Sequence, residues 1–288
     1  MVECTVCGLG FIDPLPTLDE VRGFYPDEYY GNTEGKFSAW IEWLVRVIAA
    51  RRAWFLIRQV SGTERILDVG CGRGTLLSAF ANRGFEVHGF ELSEVAAAIP
   101  DKRAEVRFGG ELSEARYPPD HFDLIVMWHV LEHLRHPDQT IQEIHRILKP
   151  GGTLVVAVPN FSSCQARWAK ENWFHLDLPR HLYHFPLTGL RKLVEDRGFA
   201  YRSGHHFSLR QNPFGWVQSA MNRFSHLPRN GIYSLLLRSS RLQFSLLTRA
   251  MLLVAFVLGM PFAVLLSIMA ATFRHGATVH GVWRKVPK

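Results

Sequence analysis

The middle of the chain alternates short apolar runs with stretches whose apolar residues recur every three or four positions. Residues 65–69, 86–90, 105–108, 122–128 and 153–158 have the length and flanking turn residues of buried strands. Residues 74–83 and 137–148 carry the spacing of amphipathic helices between them. Another helix opens near Pro186 or Thr188, runs to Arg197 and stops at Gly198; residues 199–208 and 277–285 read as the last two strands. Strands alternating with helices predict an α/β fold whose mostly parallel sheet is covered on both faces, with ligands beyond the carboxyl ends of the strands. Residues 36–60 (Phe37, Trp40, Ile41, Trp43, Leu44, Val47, Ile48, Phe55 and Leu56, around Arg51 and Arg52) also have helical spacing, and their large apolar side chains are expected in the core.

Residues 209–276 fall between the last two strands. Within them, 250–273 holds no charged residue, and about 20 apolar residues suffice to cross a bilayer. A single crossing would leave two strands of one sheet on opposite sides of the membrane. Gly259-Met260-Pro261 near the middle predicts a kink or break. Arg249 and Arg274 at the two ends suit a hairpin with both ends on the cytoplasmic face. Each half, of about 12 residues, would reach about 18 Å, enough to enter one leaflet and return. Residues 232–248 mix leucines with Arg238 and Arg241, as an interfacial helix does. As one limb of a crossing hairpin they would place both arginines at a costly depth. A soluble helical lid or a dimer face is the alternative, and the oligomeric state stays open.

With 288 residues and 47% hydrophobic content, the chain can bury one sizeable core and is not disordered. Its formal charge of +7 raises nucleic acid as a partner. The basic residues are dispersed, however, and many accompany the apolar segment after residue 200, so an anionic membrane surface, through residues 232–273, is expected instead. Met1-Val2-Glu3 opens neither a basic nor an apolar leader, so Cys4, Cys7, Cys71 and Cys164 are expected in a reducing cytosol. The expected location is cytoplasmic, peripheral or monotopic at the inner face of the cell membrane.

The run Ile66-Leu67-Asp68-Val69-Gly70-Cys71-Gly72-Arg73-Gly74 joins a strand to a turn with glycine at alternate positions. Glycine lets backbone approach a ligand closely. The next strand ends in Glu91, a carboxylate able to accept both hydroxyls of a ribose. The spacing is not the G-x-G-x-x-G of dinucleotide enzymes, since position 75 is Thr. It resembles motif I of the class I S-adenosylmethionine-dependent methyltransferases. Other segments resemble that family in the same order: Phe122 to His133 its fourth strand and the loop after it, Ile147 to Leu154 the turn before its fifth strand, and Pro159-Asn160 the end of that strand. The resemblance covers roughly residues 60–205.

That resemblance implies a Rossmann-like seven-stranded sheet whose seventh strand runs antiparallel between the fifth and sixth. Residues 209–276 then become an apolar helical insertion in a methyltransferase domain of 32–208 and 277–288. It implies S-adenosylmethionine as cofactor. Asp68, Gly70, Cys71, Gly72 and Gly74 would cradle its methionine part, Glu91 the ribose, and Leu92, Glu111 and Leu112 the adenine. Trp128 and His129 would line the sulfonium and its methyl. Residues 1–31 resemble half of a zinc ribbon. Cys4 and Cys7 form one knuckle, but the second cysteine pair that structural zinc needs is missing. A remnant without metal is expected, with Tyr29 and Tyr30 helping to cover the cofactor.

The implied reaction is in-line displacement at a sulfonium methyl by a small acceptor, lipidic or lipid-linked given the apolar insertion. A hydroxyl acceptor would call for a general base. His181 ranks first and His184 second, from the stretch Arg180-His181-x-x-His184 beyond the fifth strand, with Asp177 or Arg180 to orient them; His129 is a third candidate. His129 and His133 are four apart and share a face if helical, but no third ligand is evident and no metal is expected. The alternative reading is a nucleoside-binding scaffold of the same fold without turnover.

Overall fold

The computed structural model describes residues 1–25, 39–59, 65–92, 101–237 and 244–287. Tyr29, Tyr30, Arg238 and Arg241 lie outside the described residues. Five parallel strands, β3 (Arg65–Val69), β4 (Glu86–Glu91), β5 (Ala104–Phe108), β6 (Phe122–Trp128) and β7 (Leu148–Pro159), join β9 (Phe199–His205) and β10 (Thr278–Lys285) in one sheet. The order is β5-β4-β3-β6-β7-β10-β9. β10 is antiparallel to both neighbours, with Thr278 opposite Pro159 and His280 opposite His205. This is the expected Rossmann-like α/β architecture. The central strands are buried on both faces, so Leu124, Ile125, Val126, Val155, Val156 and Ala157 form continuous apolar runs with no exposed surface. Burying each large aliphatic side chain stabilises the fold by about 1.5–3 kcal/mol.

Helices α2 (Ala39–Ile57) and α3 (Thr75–Ala81) cover one face, and α4 (Pro137–Ile147) and α6 (Leu187–Glu195) the other. α2 turns two alanines and one leucine inward: Ala49, Ala53 and Leu56 are buried, whereas Trp43 is 61% and Trp54 53% exposed. The expectation that the large apolar side chains of this segment are core is therefore corrected for Trp43, Leu44 and Val47, which are exposed, as is Trp54. Small side chains let α2 lie close against α3, and helical period alone does not say which face the sheet takes.

The N-terminal segment is tied to the rest of the molecule. β1 (Val2–Glu3) and β2 (Gly10–Phe11) pair with β8 (Tyr183–His184) in a small antiparallel sheet. Arg135 Nε donates to Pro16 O at 2.8 Å. Helix α1 (Leu18–Gly23), closed by a capping box between Thr17 and Glu20, is thereby held above the sheet.

In the insertion the structure departs from the expected break. Residues Leu246–Thr272 form one helix, α9, with Pro261 inside it. The proline removes a single ladder hydrogen bond, and the helix is supported there because α7 (Asn212–Met221) packs across Gly259, where an added Cβ would touch Val217. The return limb is thus not half of the apolar run. It is α7 followed by α8 (Gly231–Leu236), where Gly231 faces Leu252 of α9.

Candidate active site

The carboxyl ends of β3 and β4 build the floor. Gly70, Gly72 and Gly74 all have positive φ (71°, 51° and 68°), a region side chains resist. A Cβ at Gly70 would also lie 2.3 Å from a methyl of Val130. The turn is pinned by its own amides: Gly70 N donates to Phe90 O at 2.7 Å, and Gly72 N to Glu91 Oε2 at 2.8 Å. Leu92 N donates to Glu91 Oε1 at 2.8 Å. Glu91 is 7% exposed. Each carboxylate oxygen has a second lone pair, so Glu91 can hold the turn and still accept from a ligand.

A cavity of about 1360 Å³ opens over this floor, lined by Gly70, Gly72, Glu91, Leu92, Glu111, Leu112, Trp128 and His129. Eight of the residues named from the sequence therefore meet at one cavity. Asp68 is buried two positions before the turn begins at Gly70. Gly74 caps the start of α3. Cys71 turns its thiol into the core, where a methyl at position 89 would come within 2.7 Å of the sulfur. Burial raises the pKa of that thiol, which removes it as a nucleophile.

Several contributors were not singled out from the sequence. Leu18, Val21 and Tyr25 line the cavity from the N-terminal segment, and Arg210 lines it from the loop after β9. Arg52 of α2 lies with its guanidinium carbon 3.9 Å from the centre of the Trp128 ring. Burial, reinforced by Arg210 and opposed by Asp68, pushes Arg52 down to about 9. Burial also pushes Asp68 up to about 7, with Arg52 opposing and Glu91 adding to the shift. A buried carboxyl group and a guanidinium thus lie within electrostatic reach of each other, next to the cavity-lining Val69 and Trp128.

Beyond β6 the chain turns sharply at His129, whose φ is +56°. Its Nδ1 lies 3.1 Å from Glu132 Oε1. Glu132 is 1% exposed. A carboxylate accepts, so Nδ1 carries the proton and Nε2 keeps its lone pair. That Nε2, the indole Nε1 of Trp128 and Glu132 Oε2 are buried without hydrogen-bond partners. Orphaned polar atoms around a cavity mark where ligand or water belongs.

The two histidines ranked first sit elsewhere. His181 Nδ1 donates to His175 O at 2.8 Å, and its Nε2 lies 3.9 Å from Asp177 Oδ2. His184 Nε2 donates to Leu176 O at 3.0 Å. Both rings are buried, neither is among the residues lining the cavity, and burial pushes both pKa values down. Asp177 and Arg180 form an ion pair beside them.

The residues fit a sulfonium nucleoside: the positive-φ glycines leave backbone open to a ligand, Glu91 lines the cavity with a carboxylate that could accept from ribose hydroxyls, and Asp68 and Arg52 would complement an ammonium and a carboxylate.

A family profile described as a methyltransferase domain matches residues 39–203. A ubiquinone biosynthesis O-methyltransferase of Pseudomonas putida (strain W619) is 32% identical over 114 residues, 37% of this chain and 49% of that protein. One of the same description from Azoarcus sp. (strain BH72) is 31% identical over 104 residues, 34% of this chain and 45% of that protein. The chain spans about half the length of the curated relatives it matches. Among solved structures, an S-adenosylmethionine-dependent methyltransferase from Archaeoglobus fulgidus shares the fold with a TM-score of 0.53 and 17% identity, over 83% of this chain and 94% of that one. A Haemonchus contortus phosphoethanolamine N-methyltransferase 2 in complex with S-adenosyl-L-methionine shares it with a TM-score of 0.56 and 16% identity, over 96% and 62%.

Proposed function

Since the chain belongs to the class I S-adenosylmethionine-dependent methyltransferases, we propose that it methylates a hydroxyl of a lipidic or lipid-linked acceptor at the inner surface of the cell membrane. The observation that carries this reading is α9. The helix has 27 residues, about 40 Å at 1.5 Å per residue, and an 18-residue window in it reaches a mean hydropathy of 2.6. Only Leu252, Ala263, Ser267 and Ala270 of α9 are buried. Val257, Leu258 and Phe262 are 66%, 66% and 71% exposed. An apolar face of that extent marks a membrane or partner contact. The relatives' name supports a lipid-like acceptor, because ubiquinone is a lipid quinone.

When bound, the cofactor supplies a methyl on a sulfonium that departs as a neutral thioether. Glu91 and Leu92 hold the nucleoside end, and Asp68 with Arg52 holds the charged methionine end. Trp128 screens the reacting centre from water. His129 Nε2 takes the hydroxyl proton of the acceptor as its oxygen gains the methyl, and Glu132 stabilises the imidazolium that results. Much of the acceleration comes from holding acceptor, methyl and sulfur in line.

Flotation with anionic liposomes, paired with transfer of radiolabelled methyl from S-adenosylmethionine to a bacterial lipid extract, tests both halves. The expected result is protein in the lipid fraction and label in an organic-soluble product. Protein that remains monomeric in the aqueous layer without detergent would remove the membrane half. Cofactor binding with no label in any extract would leave a scaffold.

A further inference from the structure

Glu132, His133 and His181 come from two separate segments, the loop after β6 and the strap that follows β7. One donor atom from each lies within 4.8 Å of the others. Glu132 and His181 are buried and His133 is half-buried. The geometry points to a binding site for a divalent first-row cation of the zinc class, held by these two imidazoles and one carboxylate.

Three independent features prepare the trio. His133 Nδ1 lies 2.9 Å from Arg180 O, and His181 Nδ1 lies 2.8 Å from His175 O. A backbone carbonyl only accepts, so both Nδ1 atoms carry the proton, with the Tyr25 hydroxyl oxygen, 2.8 Å from His133 Nδ1, accepting there as well; both Nε2 atoms keep a lone pair, and Asp177 Oδ2 comes no nearer than 3.9 Å to that of His181. Metal-bound histidines are oriented in this way, with the far nitrogen donating to a carbonyl or carboxylate. Glu132 uses Oε1 for His129 and keeps Oε2 buried without a partner. A buried carboxylate oxygen left unpaired is costly, and a cation would satisfy it. Finally, the two imidazole rings meet edge to face, inclined at 68° with centroids 4.6 Å apart, so the two side chains converge on one place. Two nitrogens and one oxygen suit zinc or its neighbours better than magnesium or calcium, which prefer oxygen alone.

A second trio, Glu86, His88 and His121, lies at the amino ends of the strands. There His88 Nε2 is already bonded to Glu86 Oε1 at 2.9 Å, and Glu86 is exposed. It serves as a control.

Two imidazoles and a carboxylate leave coordination positions open. His133 also lines the cavity, so an acceptor oxygen can reach the metal. On the methyl-transfer reading given above, a hydroxyl bound there would surrender its proton more readily. The site itself does not depend on that reading.

The test uses full-length protein with Cys4→Ser and Cys7→Ser, stripped with a chelator and titrated with Co²⁺. Visible ligand-field absorption saturating at one equivalent is expected. His181→Ala and the shape-conserving Glu132→Gln should each weaken Co²⁺ binding at least tenfold, and His88→Ala should leave it unchanged. Calorimetry with S-adenosylhomocysteine confirms that each variant is folded; if His181→Ala fails that check, Glu132→Gln decides. No absorption in the stripped parent, unchanged affinity in Glu132→Gln, or loss in His88→Ala overturns the site. Nucleoside binding without Co²⁺ binding would sink the metal alone. Co²⁺ binding without nucleoside binding would sink the methyl-transfer reading alone.

Discussion

Glu132 Oε1 sits 3.1 Å from His129 Nδ1, and both residues belong to the short loop that leaves β6. The pair fixes the tautomer and aim of an imidazole whose outer nitrogen has no other partner. His129→Asn should lower kcat by about 10²- to 10⁴-fold, the usual range for a lost general base, with little change in cofactor affinity. Glu132→Gln should lower it less, because the base is kept and only the counter-charge of its imidazolium is lost. A methyl-release assay at several pH values checks both. Equal kcat in His129→Asn and the parent would mean that the acceptor atom needs no base.

Where chemistry is set by neighbours in sequence, it was legible in advance. The glycine turn, Glu91 and the Trp128-His129 pair all lie within a few residues of a strand end, and alternating elements predict a mostly parallel sheet, whereas the place of its antiparallel seventh strand comes from the family resemblance. What tertiary packing delivers was not legible. Arg52 reaches Trp128 only because α2 turns Ala49 and Ala53 inward. Its one advance signal is a charged pair, Arg51 and Arg52, inside an apolar helix. Leu18, Val21 and Tyr25 reach the cavity through a sheet between β2 and β8 that joins residues far apart in sequence. The histidines of the strap were ranked for their residue type. Burial and backbone partners at His181 and His184 are properties of the fold, which sequence spacing does not carry.

Cofactor affinity should rise with pH between about 6 and 7. Burial pushes Asp68 up to about 7, so near neutrality it is partly protonated and gives little to the ammonium of the methionine moiety. Ionisation restores that attraction, and each pH unit is worth at most about tenfold. Calorimetry with S-adenosylhomocysteine at pH 6, 7 and 8 reads the slope. Asp68→Asn should bind more weakly and lose the slope; a slope that survives in this variant assigns it to another group.

Stability should peak near neutral pH and fall on the acid side. His175, pushed down to about 3 by burial, and His181 and His280, pushed well below 6.5 for the same reason, stay neutral in the folded chain. Below about 6.5 the unfolded chain takes up protons there that the folded chain refuses. Each such group costs about 1.4 kcal/mol per pH unit. Asp68 acts in the opposite sense, because its folded pKa is raised: it holds a proton between about 4 and 7 that the unfolded chain releases, so its contribution is lost as pH rises through that window. These three histidines against one carboxyl leave a net slope of about two protons, and His121, His184, His205 and His206, also pushed down by burial, add to it in the same sense. Denaturant melts at pH 5, 6 and 7 should show it. Asp68→Asn should steepen the acid slope, and His175→Gln should relieve about one proton of it.

The exposed face of α9 should tolerate charge in solution and not at a bilayer. Leu258 and Phe262 are 66% and 71% exposed and four apart, so they share one face of the helix. Substitutions at sites this open usually change stability by less than about 0.5 kcal/mol. If the face enters lipid, each side chain contributes about 1.5–3 kcal/mol to partitioning. Leu258→Glu with Phe262→Glu should therefore leave the melting temperature and nucleoside affinity in place, abolish flotation with anionic liposomes, and spare methyl transfer to a short-chain, water-soluble acceptor. The same pair separates the other covering for this face. A dimer built on it would appear as a halving of mass in solution upon substitution, with liposome binding absent from the parent as well.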